Sequence, residues 1–145
     1  MSFWARDARL ERLEAALDEL REAANEGIPL IVEGEKDEIA LRNLQLSGPI
    51  IRINQGMPIF TLVEGLARQH DALILLTDWD RTGGHLARLL RDACQANGIK
   101  LDERHRKALS KAVGSGVNDI ESLDTHLTTL RQAKADDAPW RVRGT

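Results

Sequence analysis

LILLTDWDRTGG, residues 73–84, runs apolar for four residues, sets two aspartates on either side of a tryptophan, and closes on a double glycine. A short apolar run without polar alternation reads as a strand covered on both faces, the usual state in a parallel sheet. Side chains alternate along an extended segment, so Asp78 and Asp80 face one side and Trp79 the other. Two carboxylates ~5 Å apart repel by roughly 3 kcal/mol at an effective dielectric of ~20. A proton or a cation between them removes that cost.

Two similar runs precede this one, giving three in all: Ile28–Val32, Pro49–Ile53 and Ala72–Leu76. Each is followed by a helical pattern. Ile39, Ala40 and Leu44 make a face of the first helix. Pro58 suits the opening turn of the second, before Ile59, Leu62, Val63 and Leu66. Leu86, Leu89, Leu90 and Ala93 mark the third, which Gly98 stops. Strands alternating with helices indicate βαβ units and a parallel sheet. A fourth, weaker strand falls at Gly98–Leu101, and Asp102 caps a helix reaching about Val113. Asn118 followed by Glu121 has capping-box spacing and opens a last helix through Ile120, Leu123, Leu127 and Leu130. Residues 134–145 read as a tail.

Ahead of the first strand, Leu10, Leu13, Leu17, Leu20 and Ala24 repeat at spacings of three and four. Residues 5–25 are therefore an amphipathic helix ending near Gly27. Two heptads are short for a coiled coil, so packing on the sheet is the ordinary use of that face, with pairing of two chains as the alternative. The organisation is then an N-terminal helical extension (1–27), an α/β domain (28–113), and a C-terminal helix and tail (114–145).

A chain of 145 residues with net charge −3 is one ordinary domain with room for a core, and it does not coat DNA by bulk electrostatics. A local basic patch is still open to its 20 Lys and Arg. The single Cys94 excludes a disulfide framework and a cysteine-rich zinc site, and fits a reducing cytoplasm. No signal-peptide pattern opens the chain, and no apolar run approaches the ~18 residues of a membrane span.

In an open parallel sheet, ligands collect beyond the carboxyl ends of the strands, where strand order reverses. The first run ends in Glu33–Gly34 and the third in Asp78 and Asp80, while INQG at 53–56 supplies Asn54, Gln55 and a turn glycine. The helices that follow begin with N–H groups that favour anions such as phosphate. Oxygen ligands beside phosphate sites suit magnesium.

The pair IVEGEKD (31–37) and LLTDWDRTG (75–83), with Glu33 and Asp78 45 positions apart, resembles a Toprim domain. That Rossmann-like fold is shared by topoisomerases, bacterial primases, overcoming-lysogenization-defect nucleases and the small ribonuclease that matures 5S ribosomal RNA. Glu33, Asp78 and Asp80 match its three acidic positions. The resemblance implies a sheet of about four parallel strands flanked by helices. It assigns the aspartates to Mg2+ (with Mn2+ as a substitute), and Glu33 to the metal or to general acid–base work. Gly34, Gly56 and Gly83 fall at family-like turn positions. The flanking helices, including VNDIESL at 117–123, resemble those of small stand-alone Toprim proteins found mainly in archaea.

Plainer roles compete with these. The three acids could be caps and turn formers, though three that converge exceed what capping needs. Asp37 reads as a cap or first-turn charge rather than a ligand. Lys36 and Arg81 either contact substrate phosphates or balance charge. Asn54 and Gln55 are loop hydrogen-bonders first. DERHRKALSK (102–111) is a solvated helix face or, more sharply, a nucleic-acid contact. His70, His85, His105 and His126 share no ligand spacing, and only His85 lies near the acids in sequence. Cys94 is core.

The expected function is magnesium-dependent phosphodiester chemistry on RNA or DNA, as a small nuclease. The alternative is a binding module that grips nucleic acid or a nucleotide through magnesium without turnover, alone or with a protein partner. The absence of tyrosine argues against a topoisomerase's covalent link, and one cysteine argues against a primase's zinc region. DWDRTGG also resembles the Asp-x-Asp-x-Thr loop of haloacid-dehalogenase-like phosphatases. That loop normally follows the first strand of its fold, not the third.

Overall fold

Leu30, Ile31 and Val32 have no exposed surface, and neither do Leu73, Ile74, Leu75 and Leu76. Their side chains alternate between two separate apolar clusters. Leu30, Val32, Ile74 and Leu76 enter one, and Ile31, Leu73 and Leu75 enter the other. Both faces are therefore covered, as the unbroken apolar runs require. The computed structural model describes residues 2–53 and 55–137.

These runs form β1 (Leu30–Val32), β2 (Ile50–Arg52) and β3 (Ala72–Leu75), and the weaker fourth run forms β4 (Lys100–Asp102). The sheet is parallel throughout, in the order β2-β1-β3-β4. Leu30 pairs with Ile50 on one side and Ile74 on the other. Among the described residues the helices are α1 (Phe3–Asn25), α2 (Glu35–Asn43), α3 (Ile59–Leu66), α4 (Arg81–Asn97), α5 (Arg104–Val113) and α6 (Leu123–Asp136). This is an α/β, Rossmann-like architecture.

The face of α1 read from its spacing is buried within its own chain. Leu13, Leu17 and Leu20 are fully enclosed, and the helix packs against α5 and α6. Those three helices share one apolar cluster with β1 and β3. On the opposite face, Val63 of α3 and Ala87, Leu90, Ala93 and Cys94 of α4 close the second cluster. Cys94 is buried in that cluster, a core residue as expected, and burial pushes its thiol up to about 11. Gly98 ends α4 in the left-handed conformation at φ 67°, where a Cβ would be unfavourable.

Three local expectations need correction. Ile39 is half exposed, and the inward face of α2 is Ala40, Leu41 and Leu44, because the helix sits one position round from the reading. The last helix starts at Leu123, not at Asn118. Asp119 Oδ1 accepts from the Ser122 N–H at 2.8 Å in a turn ahead of the helix, and Ser122 is the N-cap. Finally, α6 runs to Asp136, into the stretch read as tail; residues 138–145 of that stretch lie outside the described residues.

Among the described glycines, Gly83 makes the tightest approach to other backbone. A Cβ there would lie 1.7 Å from the Asp78 carbonyl oxygen, whereas one on Gly84 would meet nothing. Gly83→Ala should cost about 3 kcal/mol or more, or prevent folding, since the contact is with backbone. Gly84→Ala should be neutral or stabilising by up to ~1 kcal/mol. Urea denaturation of the two variants checks the contrast.

Candidate metal centre

Strand order reverses between β1 and β3, which leave the sheet centre in opposite directions through α2 and α4. Glu33 follows β1 and Asp78 follows β3, so both stand at the crevice where such sheets bind ligands. One oxygen from each of Glu33, Asp78 and Asp80 can be chosen so that all three lie within 4.8 Å of one another.

Each of these acids also has one oxygen fixed by a backbone N–H. Glu33 Oε2 accepts from Asp78 N at 2.7 Å, across the two strand ends. Asp78 Oδ1 accepts from Ile120 N at 2.9 Å. Asp80 is the N-cap of α4, its Oδ1 accepting from Gly83 N at 2.7 Å. The capping role weighed against ligation is therefore real for Asp80, but a second oxygen is left on every carboxylate. These bonds set side-chain direction without neutralising charge.

The charge is costly. Burial raises the proton affinity of Glu33, with Asp80 and Asp37 adding to the rise against the Asp78 N–H bond. Burial likewise pushes Asp78 up to about 7, with Glu33, Asp37 and Asp80 contributing and the Ile120 N–H bond opposing. Asp37 is also raised, by burial and by Glu121 and Asp119. A cluster of this kind favours a proton or a cation.

Glu33 and Asp78, but not Asp80, line a cleft of about 770 Å³. Gly34, Lys36, Asp37, Gly56, Met57 and Glu121 line it together with Glu33 and Asp78. Of the positions expected to meet substrate, Gly34, Lys36 and Gly56 are thus in the cleft. Gly83 is not; it is buried behind Asp78, where the Thr77 hydroxyl donates to its carbonyl at 3.0 Å. Arg81, the first residue of α4, is exposed and does not line the cleft. Asn54 lies outside the described residues. Asp37 caps as expected, accepting from Gly34 N at 2.9 Å. The starts of α2 and α4 thus carry their own carboxylates, so neither is the open phosphate site expected of it.

Some residues that shape the site carried no such reading. Arg106 of α5 donates through Nε to the Thr77 carbonyl at 2.9 Å and through Nη2 to the Asp78 carbonyl at 2.7 Å. The basic run 102–111 is therefore not uniformly solvated: Arg106 is half-buried and His105 buried. Trp79 turns away from the acids. Its backbone N–H donates to the Asn118 carbonyl at 2.9 Å and its indole Nε1 to the Val117 carbonyl. Segment 117–120 thereby holds the Asp78–Trp79 turn. No sequence spacing signals these contacts, which join positions 28 to 42 residues apart.

No protein-family profile matches the chain. Individual relatives do. A UPF0292 protein of Methanosarcina barkeri is 36% identical over 123 residues, 85% of each chain. That of Methanocaldococcus jannaschii is 36% identical over 123 residues, 84% of this chain and 94% of its own. The chain belongs to the UPF0292 family. The UPF0292 fold also aligns with a solved structure of a protein from Aquifex aeolicus at TM-score 0.65 and 25% identity, over 75% of this chain and 95% of that one. The archaeal relatives agree with the resemblance to small, mainly archaeal proteins.

The raised Asp78 sets a pH dependence for the metal-free protein. Its carboxyl holds a proton up to about pH 7 when folded, but only to about pH 4 when unfolded. In that window the folded state binds more protons, so stability is greatest at the acid end and is lost as pH rises through 7. Asp102, held down to about 2 by its bond to Arg104, stays ionised at pH 5 and does not oppose the trend there. In chelator, the protein should melt higher at pH 5 than at pH 8, and Asp78→Asn should flatten the slope. A midpoint rising with pH in the unsubstituted protein would contradict this.

Proposed function

We propose that this protein holds magnesium on Glu33, Asp78 and Asp80 and carries out phosphodiester chemistry on nucleic acid, as a small Toprim nuclease. The observation that carries this reading is the convergence of three carboxylates within 4.8 Å at the β1–β3 switch point. Support for the Toprim assignment comes from the arrangement itself: an acid closing β1 and an Asp-x-Asp closing the neighbouring β3. The donor set fits the metal. Hard oxygen ligands suit magnesium, and Arg106, a cation behind the Asp78 turn, spends its hydrogen bonds on carbonyls rather than on the carboxylates.

Magnesium bound there supplies polarisation of a phosphate oxygen and offsets charge on the leaving oxygen. The chain's own residues do the rest. Glu33 either shares the metal or takes a proton from attacking water and returns one to the leaving group. Asp78 and Asp80 hold their direction through the Ile120 and Gly83 N–H groups, so little reorganisation accompanies binding.

A second reading, a magnesium-dependent binding module without turnover, is favoured by one observation: Lys36 is the cation lining the cleft among the described residues. Purified protein with magnesium or manganese, tested on labelled structured RNA, single-stranded DNA and duplex DNA, separates the two. A nuclease should cleave one class in a metal-dependent way, with the Asp78→Asn, Asp80→Asn variant slower by about a hundredfold or more. Asp80→Asn alone should lower turnover more than affinity in an enzyme, and affinity itself in a binder. Metal-independent cleavage, or cleavage surviving in the double variant, would sink the nuclease reading.

A further inference from the structure

Residues 114–122 join α5 to α6 and pass beside Asp78. Gly114 at φ 69° and Gly116 at φ 97° turn the chain as it leaves α5. Val117 then packs on the cluster shared by α1, α5 and α6, and Ile120 is fully buried in it. The remaining attachment is to the Asp78–Trp79 turn, and its hydrogen bonds run both ways. Trp79 donates its backbone N–H to the Asn118 carbonyl at 2.9 Å and its indole N–H to the Val117 carbonyl. In return, Ile120 donates its N–H to Asp78 Oδ1 at 2.9 Å.

Charge works against this attachment. Glu121 lines the cleft with Glu33, Asp37 and Asp78, and Asp119 and Glu121 both stand close enough to raise the proton affinity of Asp37. A connection that carries two carboxylates to a cluster of carboxylates is repelled while that cluster is ionised and empty. A divalent cation on Glu33, Asp78 and Asp80 offsets that repulsion. Metal binding and the seating of residues 117–121 therefore favour each other, and such a coupling is reciprocal.

We infer that Trp79 is a positioning residue for the metal, acting through this connection. Its two N–H groups hold residues 117 and 118, which seats the Ile120 N–H on Asp78. That bond keeps the Asp78 carboxylate in the direction that brings it within reach of Glu33 and Asp80. The Trp79 side chain itself rests on the cluster of α1, α5 and α6 and turns away from the acids. This rests on the metal reading above and adds to it that the connection between α5 and α6 sets the affinity for the ion. It does not depend on whether nucleic acid is cut.

The test measures Mn2+ binding without nucleic acid, with the free ion counted by electron paramagnetic resonance. Trp79→Phe keeps an aromatic ring against the core and removes one donor, so its Kd for Mn2+ should rise about fivefold, the scale of one hydrogen bond. Gly116→Ala meets no neighbouring atom but strains a positive φ, so it disturbs the connection from outside the site and should raise Kd in the same direction. Saturating Mg2+ should also slow hydrogen exchange at the amides of residues 117–122 by about fivefold in the unsubstituted chain, and by less in Trp79→Phe. A packing role alone would lower the melting temperature of Trp79→Phe and leave Kd where it was. An unchanged Kd in Trp79→Phe, or in Gly116→Ala should the first variant not fold, would overturn this inference and leave the metal reading intact. Mn2+ binding that is absent from the unsubstituted chain, or unaltered by Asp78→Asn with Asp80→Asn, would overturn both.

Discussion

The hydrogen bond from the Asp78 backbone N–H to Glu33 Oε2 joins the carboxyl ends of the two central strands, and the geometry of the candidate site follows from it. It exists because β1 and β3 are parallel neighbours in register, so that the residues just past their ends meet. The bond aims the Glu33 carboxylate across the crevice toward Asp78 and Asp80. It also places an acid beside other acids, an arrangement that burial makes more expensive and that a folded chain keeps only if something compensates it.

Support for that turn comes from three directions. Arg106 holds the Thr77 and Asp78 carbonyls from α5, segment 117–120 holds Asp78 and Trp79 from the approach to α6, and Gly83 lets the first turn of α4 close onto the Asp78 carbonyl. These elements also belong to the packed body of the protein. Trp79 and Val117 rest against the cluster that α1, α5 and α6 build with the sheet. The helices before and after the central α/β unit therefore contribute core, and through residues 117–120 one of their connections reaches the site. A turn fixed on all sides keeps its carboxylates in place when their repulsion would spread them.

The cleft's electrostatics limit what it can hold. Its helix starts at α2 and α4 are occupied by Asp37 and Asp80, which accept from the backbone N–H groups of Gly34 and Gly83. Phosphate recognition by bare helix ends is thereby reduced, and attraction for an anion has to come through a bound cation.

The α/β class, the four strands, the helix between each pair of strands and the triad Glu33, Asp78 and Asp80 were all legible in the sequence. Each depends on local periodicity, or on an acid standing at a strand end, and both are properties of contiguous residues. The reading slipped where periodicity is short: α2 offers few turns to fix its phase, so Ile39 was turned inward, and Asn118 was taken for the cap of a helix that starts only after Ser122. What only the tertiary structure decided is which distant segments meet. The pairing of β1 with β3, the grip of Arg106 and residues 117–120 on the Asp78 turn, and the entry of Glu121 into the cleft all join residues far apart in the chain. No spacing rule encodes such contacts, because they arise from how the buried faces of β1, β3, α1, α5 and α6 close on one another.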